Sequence, residues 1–226
     1  MISKKTISKD KVNIAIIGAR KDGQAGVVLD ALSYNDKINI VAFFDHTPEK
    51  IGKKIDGIPI VAGHSEILEF NNFEIDAVHV AIGDNKARYE IYNELKSLGF
   101  QLLTIIHPSS IISASATIGE GCFIGVNAVI QNNSFIGDYS LINTSAVIEH
   151  DNSIGKAVHM APNTCTAGRV KINDLAFIGI GSVIIPDINI GYSAFVNAGS
   201  IVKRDVKDYS RHERYGKNNN IYDRLG

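Results

Sequence analysis

From Ile112 to Val202, large apolar residues recur at every sixth position. The series runs Ile112, Ile118, Ile124, Ile130, Ile136, Ile142, Ile148, Ile154, Met160, Thr166, Ile172, Ile178, Ile184, Ile190, Val196 and Val202, and only Thr166 breaks it. Four residues past each stands a column of mostly small side chains, Ala116, Cys122, Ala128, Ser134, Ser140 and Ala146 among them, with Asn152 as its most polar member. One residue past each, Gly and Asn predominate, as at Gly119, Gly125, Gly137, Asn143 and Gly155; these are the types that accept a positive φ. A period of six fits neither a helix, at 3.6, nor a strand, at 2. It is the hexapeptide signature of a parallel β-helix. Three short sides close a triangular coil, and each branched residue stacks on its equivalent in the next coil, roughly 4.8 Å along the axis.

From Lys11 to His107 the pattern changes. Apolar runs at Val12–Ile17, Ile38–Phe44, Ile58–Val61, Ala77–Ile82 and Gln101–Ile106 predict strands, and helical spacing marks Gln24–Tyr34 and Lys86–Ser97. Ser65 before Glu66-Ile67-Leu68 reads as the cap of a short helix. Strands alternating with helices predict a Rossmann-like parallel sheet. The chain thus divides into an α/β domain over 1–108, an all-β parallel β-helix over 109–205 and a charged tail over 206–226.

In such sheets ligands sit at the carboxyl ends of strands, where strand order switches. Here those ends are Gly18, Asp45 and Gly83-Asp84-Asn85. The loop from Gly18 through Ala19 and Arg20 to Gly26 lets a backbone approach a phosphate and opens a helix whose amino end attracts anions. It is not a G-x-G-x-x-G, so no dinucleotide fingerprint is present. Asp45 stands where an acid takes a ribose hydroxyl, or where it simply closes a strand.

Composition narrows the classes. A net charge of -1 gives no general attraction to nucleic acid or an anionic membrane surface. Met1–Lys11 is polar and basic with no apolar run behind it, so no signal peptide is expected, and no stretch approaches the ~20 apolar residues of a membrane helix. Two cysteines form no disulfide framework, and a reduced, cytoplasmic setting is expected. Cys122 lies in the small column and Cys165 is read as structural, with no covalent role.

Two histidines interrupt the coil pattern. Neither His150 nor His159 occupies an inward column, so both are expected to face outward. They are half a coil apart on a perimeter of roughly 60 Å, so they share a pocket only if another subunit packs alongside. Smooth faces favour such lateral packing, and a cyclic trimer builds three identical clefts. Arg211, His212, Arg214 and Lys217 read as a solvated tail with the charge to hold a phosphate.

These residues carry a resemblance. The Gly18 loop, Val41-Ala42-Phe43-Phe44-Asp45, Ile51–Pro59, Val80–Asn85, Ile142–Asp151 and the hexapeptide run together resemble the bacterial acetyltransferases of nucleotide-linked 4-amino-4,6-dideoxy sugars, relatives of the sialic acid O-acetyltransferases. The resemblance implies a left-handed β-helix, a homotrimer, acetyl-CoA as co-substrate between adjacent β-helices, no metal, and a nucleotide-linked amino sugar held by the first domain. It implies that His150 is the general base and Asp151 its acidic partner. It further implies that His159, Gly168, Gly179 and Ile180 contact the coenzyme, and that Gly18, Ala19, Arg20, Asp45, Gly83 and Asn85 contact the sugar nucleotide. The chemistry agrees: a sugar amine attacking a thioester must shed a proton, and an imidazole oriented by a carboxylate takes it. N-acetylation is preferred to sialic acid-type O-acetylation, because a free sialic acid has no nucleotide to hold. A β-helix carbonic anhydrase needs three converging histidines, and the spacing of His150 and His159 does not supply them. A non-catalytic scaffold would leave His150-Asp151 as surface decoration. The chain departs from the family where Gln24 replaces a usual His, where Gly26 replaces a Lys or Arg, and where His46 follows Asp45.

Overall fold

The computed structural model describes residues 11–213 and 218–220. Its first part is a six-stranded sheet. Strands β1 (Val12–Ile17), β2 (Ile38–Phe44), β3 (Lys54–Ile55), β4 (Ile58–Ala62), β5 (Ala77–Val80) and β6 (Gln101–Leu102) are arranged in the order β3-β4-β2-β1-β5-β6. All pairs are parallel except the β3–β4 hairpin. The order reverses beside β1, so the crevice opens at the ends of β1, β2 and β5. Helix α1 (Gln24–Leu32) packs on one face and α2 (Asn85–Ser97) on the other. The expected capped helix near Ser65 is a 3-10 segment, His64–Glu69, in which the Glu66 carboxylate reaches back to the Gly63 N–H.

The second part is a left-handed parallel β-helix of two-residue strands. Each strand pairs with the one eighteen residues on, as Ile124 with Ile142 and Ile142 with Met160. Three faces result, and the expected inward residues from Ile124 to Val202 form one continuous core. Left-handed crossovers are exceptional in ordinary sheets, but here the corners make them routine. Most corners are turned at positive φ by non-glycine residues, with Asn127 at +55°, Asn133 at +58°, Asp151 at +58° and Asn163 at +57°, and Gly121, Gly181 and Gly199 turn three others.

Those corners lie three residues past each inward side chain, not one. The glycines one residue past it serve a different purpose. A Cβ on Gly137 would meet the Gly155 carbonyl carbon at 2.6 Å, and one on Gly179 would meet the Ala198 nitrogen at 2.5 Å. These glycines exist because the next coil lies directly over them.

Two further segments differ from expectation. The run Gln101–Ile106 is not one strand: Gln101–Leu102 ends the first sheet, while Ile105–Ile106 pairs with Phe123–Ile124 in the β-helix. Thr104 stands at the break and gives its hydroxyl to the Gly119 carbonyl of the coil. Past Val202 the chain does not simply leave as a solvated tail. Ser210–His212 continues the face of Phe195–Val196, and Asn218–Asn220 returns antiparallel to cap it.

The two parts share a buried junction. Phe123 and Leu141 on one face of the prism join the core formed by α1 and the sheet. At its centre Arg88 is fully buried, and burial lowers its pKa to about 10. Its guanidinium donates to the carbonyls of Tyr139 (2.7 Å), Ala157 (2.9 Å), Ile82 (3.0 Å) and Gly83 (3.1 Å), and to Asn85 Oδ1 (2.9 Å).

Arg88→Met strands these carbonyls in the interior, so the unfolding free energy should fall by about 3 kcal/mol or more. Urea titration checks this. His79 gives a pH signature, since burial holds its pKa at about 4 against 6.5 in the unfolded chain. The unfolded chain therefore binds a proton through that window while the folded one does not. Stability is full above pH 6.5 and declines as pH falls to about 4, by on the order of 3 kcal/mol. A His79→Gln variant should show a shallower decline in thermal melts.

Candidate active site

The crevice at the sheet's carboxyl edge is a cleft of about 520 Å³ lined by Gly18, Arg20, Gln24, Asp45, Gly83 and Asp84, with neighbours. Gly18 takes φ +98° at the end of β1, and a Cβ there would meet the Ala81 carbonyl oxygen at 3.0 Å. Asp45 is already engaged by its own chain. Its carboxylate accepts from Lys50 Nζ (2.8 Å), the Ala19 N–H (2.8 Å) and the Thr47 N–H (2.9 Å). Burial would raise its pKa, but these donors outweigh burial and hold it far below the usual range. Arg20 is paired with Asp22, and Lys21 with Asp56.

Of the residues expected at the nucleotide, Gly18, Arg20, Asp45 and Gly83 meet in the cleft, while the Ala19 N–H is spent on Asp45. Asn85 turns the other way. Its amide donates to the Leu175 (3.0 Å) and Ala176 (2.9 Å) carbonyls, so it fastens the domains together. From Gly83 a second groove of about 350 Å³ continues between the domains, past Lys86, to Phe177 and Phe195.

His150 lies at a prism corner, between the strands Val147–Ile148 and Ser153–Ile154. Its Nδ1 is 2.7 Å from Asp151 Oδ2, and both side chains are about two-fifths exposed (43% and 44%). Asp151 takes the positive-φ corner position, and its other oxygen accepts from Asn133 Nδ2 at 3.1 Å. The bond to His150 comes first among the causes that lower the Asp151 pKa. Gly168 stands one coil up against the ring, where an added Cβ would lie 2.5 Å from His150 Cε1.

His159 departs from the expected open, outward setting. It points away from the prism core, but onto the face that the first domain partly covers. Its ring meets the edge of Phe177 (centroids 4.9 Å apart), and Asn143 Nδ2 approaches Nε2 at 3.4 Å. Burial above all, with Arg88 nearby, lowers its pKa to about 4, against the opposing effect of a hydrogen bond with the Gly83 main chain. His159 belongs to the face of Phe123, Leu141, Phe177 and Phe195, whereas the His150 corner joins the other two faces. Within one chain the two rings are on opposite sides of the prism. Gly179 and Ile180 follow Phe177–Ile178, one coil above the His159 strand, and Ile180 is exposed.

Cys122 is buried, and burial pushes its thiol up to about 12, as packing and not chemistry requires. Arg211 stacks on the Phe195 ring at 4.5 Å and donates to Asn197 Oδ1, and His212 is buried. Arg214 and Lys217 lie outside the described residues, as does Met1–Asp10. Among the described residues no cluster of three His, Cys, Asp or Glu could hold a metal, and no helix is long and apolar enough to cross a membrane. Arg88 carried no expected role, although a signal existed: Arg88, Ile91, Tyr92 and Leu95 share one helical stripe, and its first member is charged.

A hexapeptide prism with a His–Asp pair on its edge, joined to an α/β cleft, defines an acyltransferase of the hexapeptide-repeat class. Residues 13–95 match the PglD N-terminal domain family. GDP-perosamine N-acetyltransferase of Escherichia coli O157:H7 is 32% identical over 139 residues, which is 59% of this chain and 59% of that relative, so the match spans under two thirds of it. The structure of PerB from Caulobacter crescentus, solved with CoA and GDP-perosamine, superimposes with a TM-score of 0.84 at 32% identity, covering 92% of this chain and 97% of that one. The acetyltransferase domain of PglB from Neisseria gonorrhoeae FA1090, solved with acetyl coenzyme A, gives 0.80 at 26% identity, covering 89% and 95%. This chain belongs to the family of nucleotide-amino-sugar N-acetyltransferases built on the left-handed β-helix.

The contact between Gly168 and His150 is directly testable. Gly168→Ala should force the imidazole out of its position and break its bond to Asp151, without unfolding the corner. Ring resonances of His150 identical to wild type in NMR spectra would contradict that packing.

Proposed function

We propose that this protein transfers the acetyl group of acetyl-CoA to the 4-amino group of a nucleotide-linked amino-dideoxy sugar, by direct attack with His150 as the general base. The observation that carries the reading is the His150–Asp151 pair: Nδ1 is held by the carboxylate at 2.7 Å, and the ring stays open to an incoming ligand. Asp151 fixes the tautomer with Nδ1–H, so Nε2 presents its lone pair. The amine nitrogen adds to the thioester carbonyl, and its proton passes to Nε2. The tetrahedral intermediate then expels the thiolate, which takes the proton back to give CoA–SH and the amide. No enzyme nucleophile enters. His159, kept neutral by burial beside Phe177, is in this reading the histidine on the coenzyme's side of the prism.

The nucleotide binds in the Gly18–Asp45–Gly83 cleft, and the sugar extends past Gly83 along the interdomain groove. Because His150 and His159 lie on opposite sides of one prism, the complete site forms where two copies adjoin, in a cyclic homotrimer. Two relatives above 30% identity are named for or bound to GDP-perosamine, which makes a GDP-linked 4-amino sugar the first substrate to try. O-acetylation uses the same base, and the nucleotide-sized cleft favours the amine of a nucleotide sugar over a free sialic acid.

The test is a panel of GDP-, UDP- and dTDP-linked 4-amino sugars with acetyl-CoA, read by mass spectrometry for one added acetyl group. His150→Ala should lower turnover at least about a hundredfold while leaving nucleotide affinity and oligomeric state intact. A rate near that of wild type would remove His150 as the base.

A further inference from the structure

The small-residue column of the prism contains an internal control. Three of its serines donate a hydroxyl to a carbonyl fifteen residues on: Ser134 to Glu149 (2.7 Å), Ser140 to Gly155 (2.9 Å) and Ser182 to Asn197 (2.9 Å), while Ser200 donates to the Asn197 carbonyl three residues back (2.7 Å). Asn152 occupies the same column and makes the same bond, from Nδ2 to the Ala167 carbonyl at 2.9 Å. It then does more than any serine in the column. The same amide nitrogen reaches the Glu149 carbonyl (2.6 Å) and the His150 carbonyl (3.2 Å). Its Oδ1 finds no partner among the described residues, so the side chain is present for its donors. Asn152 is 2% exposed, so this clamp operates away from solvent.

We infer that Asn152 is a positioning residue for His150, holding the main chain of the base to the coil above so that the imidazole meets both Asp151 and the substrate. The inference rests on the reading of His150 as the base. The clamp joins three points. The Glu149 and His150 carbonyls fix the segment that carries the ring. The Ala167 carbonyl fixes the residue before Gly168, which backs the ring. The Arg169 N–H donates to the His150 carbonyl at 3.1 Å, which closes the same link from the upper coil. The wall behind the ring is glycine, so apart from the Asp151 carboxylate its direction is set by the backbone beneath it.

Asn152→Ser separates this role from folding. A serine here has one donor hydrogen: it can keep the bond to Ala167, as Ser134, Ser140 and Ser182 keep theirs, or the bond to Glu149, as Ser200 keeps its own, and it loses the hold on His150. The thermal midpoint should stay within a few degrees of wild type. With acetyl-CoA and the amino sugar, kcat should fall about tenfold while both KM values stay within about twofold. The Nδ1–H resonance of His150, recorded for the wild type at low temperature as the reference, should broaden or vanish in the variant. A persistent, unshifted resonance, or an unchanged kcat, overturns the positioning role. A change in both KM values that matches the loss in kcat overturns it as well, because it signals a distorted binding surface. The resonance is read without turnover, so the inference stands or falls even if the acetyl-transfer panel fails.

Discussion

A buried guanidinium that faces only neutral oxygens sets the geometry of the whole molecule. Each corner of the prism turns through a left-handed residue and leaves a carbonyl pointing outward. At one edge those residues are Tyr139, Ala157 and Leu175 in three successive coils. Arg88 takes the carbonyls of the first two, and Asn85 takes the third. Both donors come from the opening turn of α2, directly after Gly83. Removing a charge from water is costly, and here five hydrogen bonds offset that cost. The loop after β5 that borders the cleft is thereby fixed against the β-helix. Moving one part would move the other.

The same junction explains how the charges of the site are distributed. In and beside the cleft, acids and bases already pair with one another: Asp45 with Lys50, Arg20 with Asp22, Lys21 with Asp56. His159, close to Arg88, stays neutral. His150 lies on the far edge, open to solvent and backed by glycine. One histidine is therefore a neutral ring enclosed beside Phe177, and the other an accessible ring held by a carboxylate.

Much of this was legible from sequence, because the β-helix is a periodic object and a period is the most robust signal a chain carries. The inward columns, the strand ends at Gly18, Asp45 and Gly83, and the unusual Asn152 all stand where the spacing puts them. The errors have physical causes. Glycine one residue past the inward side chain reads as a turn residue, whereas there it yields space to the next coil, and the turns come two residues later, at Asn, Asp and even Tyr139 as well as at Gly121, Gly181 and Gly199. Gln101–Ile106 reads as one apolar run, but it is divided between two sheets, and only a tertiary bond from Thr104 marks the division. His159 follows the outward rule relative to its own prism, yet a second domain covers that face. Arg88 was missed because charge on a helix ordinarily means solvent, and nothing local reveals that carbonyls from fifty or more residues away will converge on it.

The constant spacing of the prism also governs how the chain finds its fold. Every ladder contact between coils closes a loop of the same modest length, so the entropic cost of adding a turn is the same at each step and a nucleus can propagate by zipping. The α/β part is different: β1 must wait for β5, with Ile14 meeting Ala77, before its sheet can form. Nearest-neighbour growth should therefore outpace assembly of the sheet, and the finished prism edge offers α2 a template on which to settle.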